Sequence, residues 1–476
     1  MVFSSLIFLY AFFPLSLLAY FLCKGKRAQN AVLLVSSLIF YAWGEPKYVL
    51  LLMFMALVSW FFALKIEQTR NPNIQTLYLT LTVIVDISLI AYFKYASMIC
   101  GLFGPVPEAV RNIALPIGIS FYTFQLLTYV VDVYRAEAPA QDSYFNVLLY
   151  AALFHQCIAG PIVRYASIDR ELFGHRTPEL AAGVSRFSAG LAKKVLLANP
   201  CGALADALIL PASTASNPEL LAENLSYFQN LSVLGAWVGI IAFSLHIYLD
   251  FSAYSDMAIG MGKMLGLHYP ENFRYPYISR TVTEFWRRWH ISLSTWFREY
   301  VYIPLGGNRK GKGRQLVNIA IVWLLTGLWH GASWNFVLWG VYYAVLLLLE
   351  KTFLLKWLDK APRFVGHVYT CLCFVLGWVL FAITDFSALG AYLGHMFSGA
   401  FADGTTAYLL RCDWLVLALA VVGCTSLPRR LWEKRERAMT PALSDGLRTV
   451  WVAVVLLVSI AFLVGDSYNP FLYFRF

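Results

Sequence analysis

The 476-residue chain predicts an all-α, polytopic integral membrane protein on three observations. It is 59% hydrophobic and 13% charged, where soluble domains carry roughly 25% charged residues. Its apolar residues gather in runs near the roughly 20 positions that a helix needs to cross a bilayer. No soluble domain is visible between those runs.

The runs, in chain order, are Val2–Cys23, Tyr48–Leu64, Thr76–Tyr92, Ile113–Val131, Gly235–Leu249, Ile319–Leu349, Val368–Ile383 and Val450–Val464. Shorter or more polar candidates lie at Ala31–Trp43, Asn146–Val163, Ala192–Leu210 and Trp414–Cys424. Hydropathy therefore predicts about ten to twelve crossings. Val2–Cys23 has no charged leader and no small-residue cleavage site, so it reads as a retained helix rather than a signal peptide.

The net charge of +10 follows from cytoplasmic loops rich in Lys and Arg. Nucleic-acid binding would need a basic soluble face with interleaved aromatics, which this pattern does not offer. The clusters Lys24–Arg27, Arg309–Arg314 and Arg429–Arg437 are expected in the cytoplasm, which puts the amino terminus outside. The eight cysteines stand singly, apart from Cys371 and Cys373, whose spacing points them to opposite sides of a helix. They read as buried thiols, and no metal site is expected.

The chain reads as one membrane domain over 1–476. Residues 111–345 differ in texture, being apolar yet dotted with Pro, Gly, Arg, Asp and His. Charged groups at membrane depth cost about 2.5–3.5 kcal/mol each on insertion scales. Irregular backbone is tolerated there only inside protein or beside a wet cavity. The site is expected in this part.

Within it, LPIGISFYTFQLLTYVVDVYR (115–135) breaks at Pro116 and Gly118 and then carries Gln125 and Asp132. HIYLDFSAYSDMAIG (246–260) puts Asp250 and Tyr254 on one helix face and adds Asp256. The alternative for both acids is a structural network with a nearby Arg. In TVTEFWRRWHISLS (281–294), Thr281 and Glu284 match a capping box. Phe285, Trp286, Trp289 and His290 then share an aromatic face, while Arg287 and Arg288 point elsewhere. An interfacial helix would account for the arginines but poorly for His290.

WHGASWNF (329–336) sets His330 between Trp329 and Trp334, thins the backbone with Gly327 and Gly331, and adds Ser333 and Asn335. A neutral imidazole there can take a proton from a hydroxyl at physiological pH. A structural histidine is the plainer reading of such a residue taken alone.

These motifs together resemble the membrane-bound O-acyltransferase family, in its branch serving bacterial alginate and peptidoglycan O-acetylation. The likeness extends through FYAWGEPKYVLLL, IAGPIVRY, GLAKKVLLAN, YLDFSAYSDMAIG, FWRRWHISLSTWFREYVYIPLGGNR and TGLWHGASWNF to the closing SYNPFLYFRF. It implies a ring of tilted helices around a thinned centre, with re-entrant and interfacial helices, in the bacterial cytoplasmic (inner) membrane. It makes His330 the essential histidine and His290 its companion.

The implied reaction moves acetyl from a cytoplasmic thioester, acetyl-CoA, with no bound cofactor. The acceptor is an extracytoplasmic acetyltransferase partner or the hydroxyls of a polysaccharide. Arg287 and Arg288, with Trp329, Ser333, Asn335, Asp250 and Tyr254, are the candidate substrate- or donor-binding residues. One departure is His155, where this branch often has proline. D-alanyl or lipid acyl transfer is the rival within the enzyme class, D-alanyl transfer being disfavoured by the arginine–histidine element, and a transporter or scaffold is the rival from another class.

Overall fold

A computed structural model describes residues 1–158, 160–209, 225, 228, 230–465 and 468–470. Ala159 of IAGPIVRY, Leu210 at the end of one candidate crossing, and residues 467 and 471–476 of the closing motif lie outside them. The described residues form helices joined by turns, with no β-strand among them. Among the described residues, seven helices are long and apolar enough to cross a membrane: Val49–Gln68, Pro72–Gly101, Val233–Leu265, Trp334–Leu358, Arg363–Ala382, Gly404–Gly423 and Pro441–Gly465. These seven alone do not reach the ten to twelve expected; Lys26–Gly44, Ile119–Tyr134 and Lys312–His330 are shorter or more polar helices.

Two compact units can be distinguished, Met1–Ala189 with Tyr254–Glu271, and Gly190–Ala253 with Asn272–Phe476. In the first, α1 (Val49–Gln68), α2 (Pro72–Ile90) and α3 (Ile119–Tyr134) pack together. Gly118 starts α3 with φ +77°, a backbone that a side chain would strain; a Cβ there would also lie 3.3 Å from Ile158 Cα. Arg186 ties the unit's polar side together, 2.6 Å from Asp256 and 2.7 Å from Glu271. Asp256 thus sits in the structural network with an arginine that the sequence left open.

The second unit is built around α4 (Val282–Arg288), α5 (Ile291–Phe297), α6 (Lys312–His330), α7 (Trp334–Leu349) and α8 (Arg363–Ala382). Its core is aromatic: Phe285, Trp286, Trp289, Trp339, Tyr343, Trp378 and Phe381 are all buried. Trp286 meets Trp339 and Tyr343 edge-on, at centroid distances of 5.5 and 4.8 Å, the geometry that ring quadrupoles favour. Helices α6 and α7 are joined by only three residues and pack through glycine. A Cβ on Gly340 would lie 2.6 Å from the Trp323 carbonyl oxygen and 3.2 Å from Gly327 Cα.

Candidate active site

Thr281 caps α4 as the sequence predicts, its Oγ1 accepting the Glu284 N–H at 2.9 Å. The reciprocal half of the box is shifted by one residue, because the Glu284 carboxylate accepts the N–H of Arg280 at 2.9 Å. A second carboxylate, from the far end of α7, also holds this helix start. Buried Glu350 accepts the N–H groups of Val282 at 2.6 Å and Thr283 at 2.8 Å, and the Thr283 hydroxyl at 2.6 Å. Negative charge against the first turn of a helix is favourable, and here it also satisfies orphan donors.

The sequence predicted one helix carrying Phe285, Trp286, Trp289 and His290 on a single face. The helix instead ends at Arg288, and His290 adopts the left-handed conformation with φ +43°. Histidine enters this region more readily than most residues, but the conformation still needs support. Asn272 supplies it. Its Oδ1 accepts the Ser292 N–H at 3.2 Å and hydroxyl at 2.9 Å, and lies 3.1 Å from His290 Nδ1. Its backbone carbonyl accepts the Ile291 N–H at 2.9 Å.

Because a backbone N–H can only donate, the Asn272 atom facing the turn is the oxygen, and His290 Nδ1 must carry the proton. In the neutral ring the lone pair is then left on Nε2, which has no hydrogen-bond partner among the described residues.

His330 is the last residue of α6, with 8% of its surface exposed. Its ring lies 5.0 Å from those of Trp329 and Trp339, and 5.2 Å from that of Phe381. Trp334, expected to flank it, starts α7 and is 50% exposed. Gly327 and Gly331 do thin the backbone, but what they admit is α7: a side chain on Gly331 would overlap the Phe336 ring.

His290, in the turn before α5, and His330, at the end of α6, line one cavity of about 460 Å³. Trp286, Arg287, Trp289, Arg298, Trp323 and Thr326 are among its other walls. Trp329 lies between the two histidines, 5.9 Å from the His290 ring. Of the remaining sequence candidates, Arg287 lines this cavity. Arg288 is engaged elsewhere, 2.8 Å from Glu284 and donating to the Arg274 carbonyl at 3.1 Å.

Asn335 is fully buried and braces α7 on α8, donating to the Leu380 and Phe381 carbonyls at 3.1 and 3.3 Å. Ser333 is the residue before α7. Asp250 is buried 2.7 Å from Lys194, whose ammonium also bonds the Pro470 carbonyl. Tyr254 stacks on Phe3 with centroids 4.3 Å apart. His155, the departure from the family pattern, is buried against the Tyr269 hydroxyl, 2.7 Å from Nδ1. Asn272 and Glu350 escaped sequence reasoning altogether.

A multi-pass helical protein that brings two buried histidines to one aromatic-walled cavity has the equipment for proton-assisted group transfer within a membrane. The chain belongs to the membrane-bound O-acyltransferase family, MBOAT, whose sequence profile matches residues 49–393. It is 37% identical to a probable alginate O-acetylase AlgI of Pseudomonas putida, over all of both chains. It is 29% identical to a peptidoglycan O-acetyltransferase of Helicobacter pylori, covering 100% of this chain and 98% of that one. A teichoic acid D-alanyltransferase of Bacillus subtilis matches at 28%, over 55% of this chain and 65% of its own. The protein is thus a multi-pass membrane O-acyltransferase.

Proposed function

We propose that the protein takes acetyl from a cytoplasmic thioester, acetyl-CoA, and delivers it across the bacterial inner membrane. The receiver is a hydroxyl, either on an extracytoplasmic partner protein or on a cell-surface polysaccharide such as alginate or peptidoglycan. The observation that carries this reading is the single cavity shared by His290 and His330.

In the reaction, the acceptor oxygen attacks the thioester carbonyl while the His330 imidazole takes its proton. The carbon–sulfur bond then breaks, and the departing thiolate receives the proton. His290 presents its Nε2 lone pair to the same space and orients the acceptor hydroxyl. Trp286 and Trp289 wall the reacting atoms off from water, which strengthens each polar contact inside.

The end-to-end similarity to the alginate and peptidoglycan proteins supports acetyl over D-alanyl transfer. The transporter reading leans on Asp250 and Asp256 as coupling sites, but both acids are held in ion pairs. Incubating the purified protein with radiolabelled acetyl-CoA and a soluble oligosaccharide acceptor tests the proposal. Thioester consumption by the wild-type protein, absent in His330→Ala, is the expected result; a wild-type protein that consumes no thioester contradicts it.

A further inference from the structure

Away from the histidine cavity, the second unit exposes a short basic helix between two membrane spans. After α8 come α9 (Gly404–Gly423), α10 (Leu427–Glu436) and α11 (Pro441–Gly465). Both α9 and α11 are long and apolar enough to cross the bilayer. A chain that crosses on α9 and returns on α11 turns at one membrane surface. The ten residues of α10 are too few to span and lie in that turn.

The sequence LPRRLWEKRER (427–437) divides by face. At 3.6 residues per turn, Leu427, Leu431 and Lys434 follow one line along the helix. Arg430 and Arg437 fall on one flank of that line and Arg435 on the other. Trp432, Glu433 and Glu436 fall on the opposite face. Burial follows the same division. Leu427 and Leu431 are 50% and 55% exposed. Arg430, Lys434, Arg435 and Arg437 are exposed too, while Trp432, Glu433 and Glu436 are half-buried.

The two acids of this helix are engaged within the protein. Glu433 lies 2.7 Å from Arg429. Glu436 accepts the Ser444 hydroxyl at 2.9 Å and pairs with Arg448 of α11. Arg430, Lys434, Arg435 and Arg437 form no ion pair among the described residues. Asp445, near the start of α11, is one further acid, and the turn keeps a net positive charge.

Basic residues anywhere in a loop are enough to orient a crossing. That rule does not call for two leucines held outward among the cations, or for the acids to be turned inward. A helix lying at the headgroup boundary does call for both. Its apolar side chains enter the acyl edge, and long cationic side chains reach from there to the phosphates. We propose that the outer face of α10 binds the headgroups of anionic phospholipids in the adjoining leaflet. An acidic protein would also match the cations. Lipid fits better because only three residues separate α10 from α9 and four separate it from α11, so its open face stays at the bilayer edge.

The test uses the purified full chain in detergent, with phosphatidylglycerol or phosphatidylcholine titrated in and bound lipid counted by native mass spectrometry. One variant combines Arg430→Gln, Lys434→Gln, Arg435→Gln and Arg437→Gln. A second combines Leu427→Ser and Leu431→Ser. The control, Arg309→Gln with Lys310→Gln and Lys312→Gln, removes cations from a different loop. Thermal unfolding reports that each protein is folded. The salt dependence of wild-type binding gives a reading that needs no variant.

The wild type is expected to prefer phosphatidylglycerol, and that binding should weaken as ionic strength rises. The charge variant should bind it about tenfold or more weakly, since each cation near a headgroup contributes separately. The leucine variant should lose affinity for it as well, and the control should stay near wild type. Equal binding of the two lipids by the wild type overturns the proposal, as does phosphatidylglycerol binding indifferent to salt. So does undiminished binding by a folded charge variant. An equal loss in the control would reduce the effect to net charge and overturn it too. A polyglutamate peptide that binds the wild type more tightly than phosphatidylglycerol, and is lost in the charge variant, would assign this face to an acidic protein instead.

Discussion

Asn272 Oδ1 lies 3.1 Å from His290 Nδ1 while accepting the backbone N–H of Ser292 at 3.2 Å. One side-chain oxygen thus fixes both the tautomer of the histidine and the turn that presents it. Asn272→Leu is expected to lower kcat by the roughly 10- to 100-fold typical of groups that orient an imidazole. KM should change less. Asn272→Asp keeps an acceptor at the same place and should recover much of the rate. Steady-state kinetics on both variants check this; equal loss in both would reduce Asn272 to a fold anchor.

Glu350 is predicted to matter for stability first. Its carboxylate receives three hydrogen bonds from Val282 and Thr283 in a buried setting. Glu350→Ala leaves those donors unsatisfied and should cost about 2–3 kcal/mol. Thermal unfolding in detergent is the measurement. Glu350→Gln, which keeps the shape and one acceptor, should fall between wild type and Ala.

Gly340 faces Gly327 across α6 and α7. Gly340→Ala forces a methyl against the Trp323 carbonyl oxygen, and such overpacking costs about 1–3 kcal/mol. Because α6 ends on His330, the helix shift should also lower turnover. A variant with wild-type melting and wild-type rate would mean that the two helices separate without consequence.

The first unit carries a pH-sensitive cluster outside the membrane-spanning helices. His268 Nδ1 lies 3.0 Å from Glu171 and Nε2 lies 3.2 Å from Glu179, which is itself 3.0 Å from Lys263. The bond to Glu179, then that to Glu171, raises the imidazole above its ordinary value of 6.5. The folded value exceeds the unfolded one. The stabilisation is therefore complete below pH 6.5 and fades as pH rises through the raised value. His268→Gln should flatten this part of a melting-temperature profile and leave the acid limb of other groups in place.

How far the sequence reached follows from the range of each interaction. The long apolar runs and the Thr281 cap depend on residues within a few positions and were legible, but among the described residues seven spans stand where ten to twelve were expected. The sequence also singled out the two histidines that the structure brings to one cavity, His330 because a polar residue in an apolar run stands out. The break at His290 was not legible, since aromatic spacing through Trp289 is equally good for a continuous helix. What stops it is Asn272, eighteen residues earlier. Glu350 closes α4 from nearly seventy residues away, and an acid at the end of an apolar run looks like any helix terminus. Trp334 sat beside His330 in sequence, but Trp339 and Phe381 sit beside it in space, because α7 turns back along α6. Of the two intramembrane acids, Asp256 found the predicted arginine while Asp250 found a lysine, and the choice lay in tertiary packing.

The claim on which the rest depends is that His330 performs the chemistry in the cavity it shares with His290. The direct measurement is the rate of acetyl transfer from acetyl-CoA by His330→Ala and His330→Gln, each first shown monodisperse in detergent. Loss of a general base typically lowers the rate by about 10²–10⁴-fold, and both variants should fall by that much while His290→Ala falls by less. Near-wild-type transfer by a well-folded His330→Ala protein would contradict the account and leave this histidine a packing residue among Trp329, Trp339 and Phe381.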